Sequence, residues 1–169
     1  MFEYAQMLAG FSAGMATGSG KIAYLAGSRN SDSFRQISAA YLGAIYAWET
    51  VRGMNPKDFR FRLKWMGNWF DNLSPQEDTK ASVIRLFNEG SDTIIGANDN
   101  LDIFTAAETI ADINKKLLVT ATANPFIVQN PNPFVIGISY YDWLPVYLDL
   151  FSKAQQGELS ANWIRLSPD

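Results

Sequence analysis

The stretch "FRFRLKWMGNWFDNLSPQEDTKASVIRLFNEGSDTIIGAND", residues 59–99, decides the fold. Its first part sets Phe59, Phe61, Leu63 and Trp65 against Arg60, Arg62 and Lys64. This period-two pattern predicts a strand with one wet face, near a sheet edge or partly covered. Serine, proline and acids then open a segment in which Ala81, Ile84, Leu86 and Phe87 recur, and Gly90 closes it, so both ends of a helix are signalled. "SDTIIGAND" is strand-like again. Strand, helix and strand in succession predict two neighbouring strands running parallel.

The same alternation continues on both sides. Upstream, residues 2–16 place Phe2, Ala5, Met7, Leu8, Phe11 and Met15 at helical spacing. "TGSG" at 17–20 stops this helix, which packs through small residues. "KIAYLAG" (21–27) reads as a strand and "SRNSDS" as a loop. Phe34 to Arg52 reads as an amphipathic helix with Ile37, Ala40, Tyr41, Ala44, Ile45 and Trp48 on one side, and "MNPKD" as a turn. Downstream, "LDIFTAAETIADINK" reads as a helix and "KLLVTATAN" as a strand. A proline-rich excursion over 125–139 ends in the strand "FVIGIS", and a last helix runs from Asp142 to Gln156. The fold class is therefore α/β: a three-layer αβα sandwich with a mostly parallel sheet covered on both faces.

Composition narrows the chemistry. A chain of 169 residues is the size of one domain and can bury a real core. It contains no cysteine and no histidine, which excludes disulfides, thiol nucleophiles, Ser/His/Asp triads and the usual zinc sites. A carboxylate-only metal or hydrolase site stays open. The net charge is −3, and the basic residues are scattered apart from the 60/62/64 strand face, so nucleic acid is not an expected partner. The N-terminus carries Glu3 at once and lacks a basic leader, so it does not read as a signal peptide. No segment has the roughly 18–20 apolar residues that span a bilayer.

In an open parallel sheet, ligands bind beyond the carboxyl ends of the strands. Four loops qualify: Gly27–Ser31, Gly67–Asp71, Ala97–Asn100 and Thr120–Asn124. The first lacks G-x-G-x-x-G spacing, and "TGSGK" precedes a strand where a phosphate loop would follow one; both read as turns. Asn98, Asp99 and Asn100 either cap a helix or offer donors and an acceptor to a polar ligand. Trp65 shares the strand's apolar face and is expected in the core. Trp69 lies past the strand end, where one ring of Trp69 and Phe70 faces the cleft. Asp71 caps the next helix or contacts ligand. No nucleophile stands beside a base, so the expectation is a binder and not an enzyme, without cofactor or metal.

The stretches "EYAQMLAGFSAGMATGSGKIAYLAG", "KWMGNWFD" and "LFNEGSDTIIGANDN" resemble the second lobe of the basic membrane protein family, substrate-binding lipoproteins of ABC transporters with the type I periplasmic binding protein fold. The resemblance runs over nearly the whole chain, and W-x-G-x-W-F-D is its most specific part. It implies a single ligand-binding lobe over 1–169, with an α/β core at 1–124, a return excursion at 125–139 and a terminal helix and strand at 140–169. It further implies a purine-like base or nucleoside as ligand, an ABC permease as partner and an extracytoplasmic parent protein.

By that resemblance Trp69 stacks on the base, backed by Phe70, with Asp71, Asn98, Asp99 and Asn100 as polar contacts. Thr122 and Asn124 stand where the family has sugar-binding aspartates, and Tyr140 falls near the place of a family lysine. These departures shift the expectation from a nucleoside towards a free purine-like base or another small planar molecule. The chain is then either a lobe from a longer protein or a one-lobe relative paired with a first lobe or a second copy. Two other classes compete: a regulatory module that dimerises, and an enzyme on a similar sheet.

Overall fold

The run KIAYLA forms β1 (Lys21–Ala26), buried at every position but the first. Only a central strand, covered on both faces, tolerates such a run. The computed structural model describes residues 2–67, 78–97, 102–110, 118–122 and 134–160. Around β1 stand β2 (Arg60–Trp65), β3 (Thr93–Ala97), β4 (Leu118–Thr122) and β5 (Val135–Ser139), in the order β2-β1-β3-β4-β5. Every pairing is parallel; Ile22, for example, lies between Phe61 and Thr93. The predicted parallel sheet is thus present, with the charged strand β2 at its edge.

Alternation along β1 divides the core. Ile22, Tyr24 and Ala26 pack with Ile95, Phe59 and Trp48 under α1 (Phe2–Ala16) and α2 (Ser31–Ile45). Ala23 and Leu25 pack with Ile94 under Val83, Leu86 and Phe87 of α3 (Thr79–Asn88) and Ile103 and Ala106 of α4 (Asp102–Ile110). These are the three layers. The last helix, α5 (Leu144–Gln156), buries none of its residues and ends at Gly157 in the left-handed conformation (φ 70°).

Two helices differ in detail from the sequence pattern. In α1 the buried face is Gln6, Ala9, Gly10, Ala13 and Gly14, while Phe2, Met7, Leu8 and Met15 are exposed. The cause is a backbone-to-backbone crossing with α2. A Cβ on Gly10 would lie 1.9 Å from the Ala40 carbonyl oxygen, and one on Gly43 would lie 2.1 Å from that of Met7. Large side chains cannot occupy such a seam, so they turn outward. Helix α2 begins at Ser31 rather than Phe34, because the Asn30 side chain accepts from the Ser33 amide and caps it.

Past Ile45 the helix widens into a π-helical turn over Tyr46–Val51. This turn brings the Arg52 guanidinium over the Trp48 ring, 4.7 Å from its centroid, where it donates to the carbonyls of Gly14 and Thr17 at 2.7 Å each. Arg52 thereby satisfies carbonyls left open at the C-terminus of α1. In the "TGSG" turn, the amides of Gly18 and Ser19 and the Thr17 hydroxyl all donate to the Asp92 carboxylate, at 2.9, 2.7 and 2.5 Å. The turn holds an anion from its own chain, which agrees with its reading as a turn rather than a phosphate loop.

Candidate functional site

A parallel sheet presents all its carboxyl ends at one edge, and here these are Ala26, Trp65, Ala97, Thr122 and Ser139. From β1 the chain moves outward to β2, whereas β3 begins the progression in the other direction. The connections after β1 and β3 therefore lead to opposite faces, to α2 and α4, and leave a crevice between them. That reversal of strand order is where ligands bind in open α/β sheets.

Of the residues assigned to binding from the sequence, Thr122 closes β4, paired with Ser139 of β5. Trp69, Phe70 and Asp71, Asn98, Asp99 and Asn100, and Asn124 lie outside the described residues. They follow, in the chain, the carboxyl ends of β2, β3 and β4.

The described part of this edge is built around β1 and β2. The Met66 amide continues the ladder to the Ala26 carbonyl at 2.8 Å, and the Ser28 hydroxyl donates to the Gly67 carbonyl at a long 3.4 Å. Ser33 donates its hydroxyl to the Ser28 carbonyl at 2.5 Å, which fixes the loop against the first turn of α2. Gly67 has φ +96°, a conformation that favours glycine, with open space where a side chain would stand.

Trp65 differs from its expected place in the core. It is half-buried, and Leu63 before it is 37% exposed, because β2 is an edge strand whose apolar face extends past the cover of α2. Phe34, in the first turn of α2 and 55% exposed, meets the Trp65 ring edge-on with centroids 5.4 Å apart. The Arg29 guanidinium lies over the same ring, 5.3 Å from its centroid. Arg29 and Phe34 were not singled out from the sequence. The usable signal was Trp65 as the last apolar residue of a strand already marked as an edge.

The opposite face of β2 is engaged within the chain. Arg62 pairs with Glu89, Arg85 stands 4.0 Å from the same carboxylate, and burial, with Arg85 nearby, holds Lys64 below the usual lysine range. At the β5 end of the edge, Phe2 meets Tyr141 edge-on at 5.2 Å, followed by Trp143 and Tyr147 in a line of rings. Burial, and then the Glu3 charge, raise the Tyr141 hydroxyl above its ordinary range. Tyr140 is exposed. Among the described residues no cluster of side chains could hold a metal ion, and no helix is long and apolar enough to cross a membrane.

No family model matches the sequence, and no curated protein matches it. Among solved structures the chain is similar to an ABC transporter system solute-binding protein from Conexibacter woesei DSM 14684. The TM-score is 0.61 at 16% identity, over 93% of this chain and 46% of that one. At that identity the likeness shows the fold, a periplasmic binding protein-like α/β lobe. The chain spans about half the length of that protein.

Proposed function

We propose that this chain is a ligand-binding lobe of the solute-binding component of an ABC importer, resembling the basic membrane protein family, and that it takes a purine-like base or nucleoside at the carboxyl edge of its sheet. The observation that carries this reading is the reversal of strand order between β1 and β3, within a fold similar over 93% of the chain to an ABC solute-binding protein. Trp69 serves as the stacking platform with Phe70 behind it, and Asp71, Asn98, Asp99, Asn100, Thr122 and Asn124 supply polar contacts. No reaction is catalysed. The parent protein works outside the cytoplasm and hands its ligand to a permease.

In such receptors two lobes close on the ligand, so one lobe alone encloses only part of it and binds weakly. Calorimetric titration with adenine, guanine, adenosine and guanosine tests the reading. Saturable binding to the wild type that Trp69→Ala weakens about tenfold or more is the expected result, since base–aromatic stacking contributes roughly 1–3 kcal/mol. Binding that Trp69→Ala leaves unchanged removes the platform.

A second reading is a regulatory module that acts by dimerising. It is favoured by the stripe Leu144, Tyr147, Leu148 and Phe151 along α5, four large apolar residues that are all exposed. Sedimentation at low micromolar concentration separates the two. A stable dimer that Phe151→Glu dissociates favours the module, and a monomer removes it.

A further inference from the structure

Arg29 stands apart from the other arginines of the described residues. Arg35 pairs with Glu3 and Asp32, Arg62 and Arg85 with Glu89, and Arg52 and Arg60 donate to backbone carbonyls. Arg29, among the described residues, forms neither an ion pair nor a hydrogen bond; its contact is the face of the Trp65 ring. A guanidinium laid on an indole is held flat, and Phe34 braces the indole from its edge at 5.4 Å. The cation sits in the loop directly after β1, beside the reversal of strand order, and it is exposed. Its planar fork of N–H donors is thus pre-set but unused, which suits bidentate capture of a carboxylate or phosphate.

We propose that Arg29 is a specificity-determining residue that selects planar ligands bearing an anionic group, a carboxylate or a phosphate, at the carboxyl edge. This rests on the reading of that edge as a site for a flat ligand. The adjacent aromatic platform takes the ring, and Arg29 takes the charge. An uncharged ring forgoes the second contact. Lysine at this position offers a point charge without the fork and without flat stacking on Trp65, so Lys is not an equivalent replacement.

The test is calorimetric titration of the wild type, Arg29→Gln and Arg29→Lys with adenine, adenosine and adenosine 5′-monophosphate, with inorganic phosphate as a fourth titrant. Arg29 is exposed, so both variants are expected to fold, and circular dichroism checks this. The expected result is that the monophosphate binds the wild type about tenfold more tightly than adenosine. Arg29→Gln removes that margin without changing the affinity for adenine, and Arg29→Lys restores it only in part. Equal affinity of adenosine and the monophosphate for the wild type overturns the role of Arg29 while leaving the planar site standing. A margin that persists in Arg29→Gln also overturns it, as does phosphate binding as tightly as the monophosphate, because the ring then contributes nothing. Absence of binding by all three purine ligands overturns the planar site and Arg29 together.

Discussion

Tyr24 shows what a single side chain costs and contributes in this core. Its ring fills the layer between β1 and the helices α1 and α2, 6.0 Å from Phe61, but its hydroxyl is buried without a hydrogen-bond partner. Burial pushes that hydroxyl far above the ordinary tyrosine range. Tyr24→Phe keeps the ring and removes the orphan, so stability at neutral pH should rise by about 1 kcal/mol in urea denaturation. In the unfolded chain Tyr24 loses its proton near pH 10, while in the folded chain it keeps it. Its contribution is therefore fully present below about pH 10 and lost as pH rises further, and Tyr24→Phe should flatten that alkaline decline. Sequence alone identified Tyr24 as a strand residue but not as an unsatisfied one, because hydrogen bonding across layers has no periodic signature. Trp65 was misplaced for a related reason. Alternation assigned it to the right face, but how far α2 covers that face depends on the crossing of whole elements.

At the scale of elements, the strands and helices were legible because period two and period 3.6 are local properties, sharpened here by glycine and proline stops. What lay beyond the pattern was the α1–α2 seam. Hydrophobic periodicity selects the large residues Phe2, Met7, Leu8 and Met15, yet a close crossing is made by Gly10, Gly14 and Gly43. Gly43→Ala should cost about 3 kcal/mol, read as a loss of denaturation free energy, since the added methyl meets the backbone oxygen of Met7 and not a movable side chain. The π-helical turn is a second such device. Arg52→Ala removes two charge-assisted bonds to the end of α1 and the stacking on Trp48, so we expect a loss of about 2–3 kcal/mol. Arg52→Lys should recover only part of it.

For the molecule as a whole, the α/β class and the position of a ligand crevice followed from the order of elements, since a doubly wound parallel sheet concentrates its loops at one edge. The identity of the ligand did not follow, because it depends on side chains brought together from loops far apart in the chain. Trp69, Asn98 and Asn124 come from three different connections, and the described edge adds Arg29, Phe34 and Trp65. The exposed aromatic line from Phe2 through Tyr141 and Trp143 to Tyr147 borders the same edge at β5. The account's central claim is that a flat ligand binds where the strand order reverses. Its most direct test is an amide ¹H–¹⁵N NMR titration of the assigned chain with adenine at millimolar concentration. The account predicts saturable shifts clustered in the loops after β1 to β4, namely 27–31, 67–71, 97–100 and 120–124. Shifts confined to α5 or the amino edge, or none at saturating adenine, would contradict it.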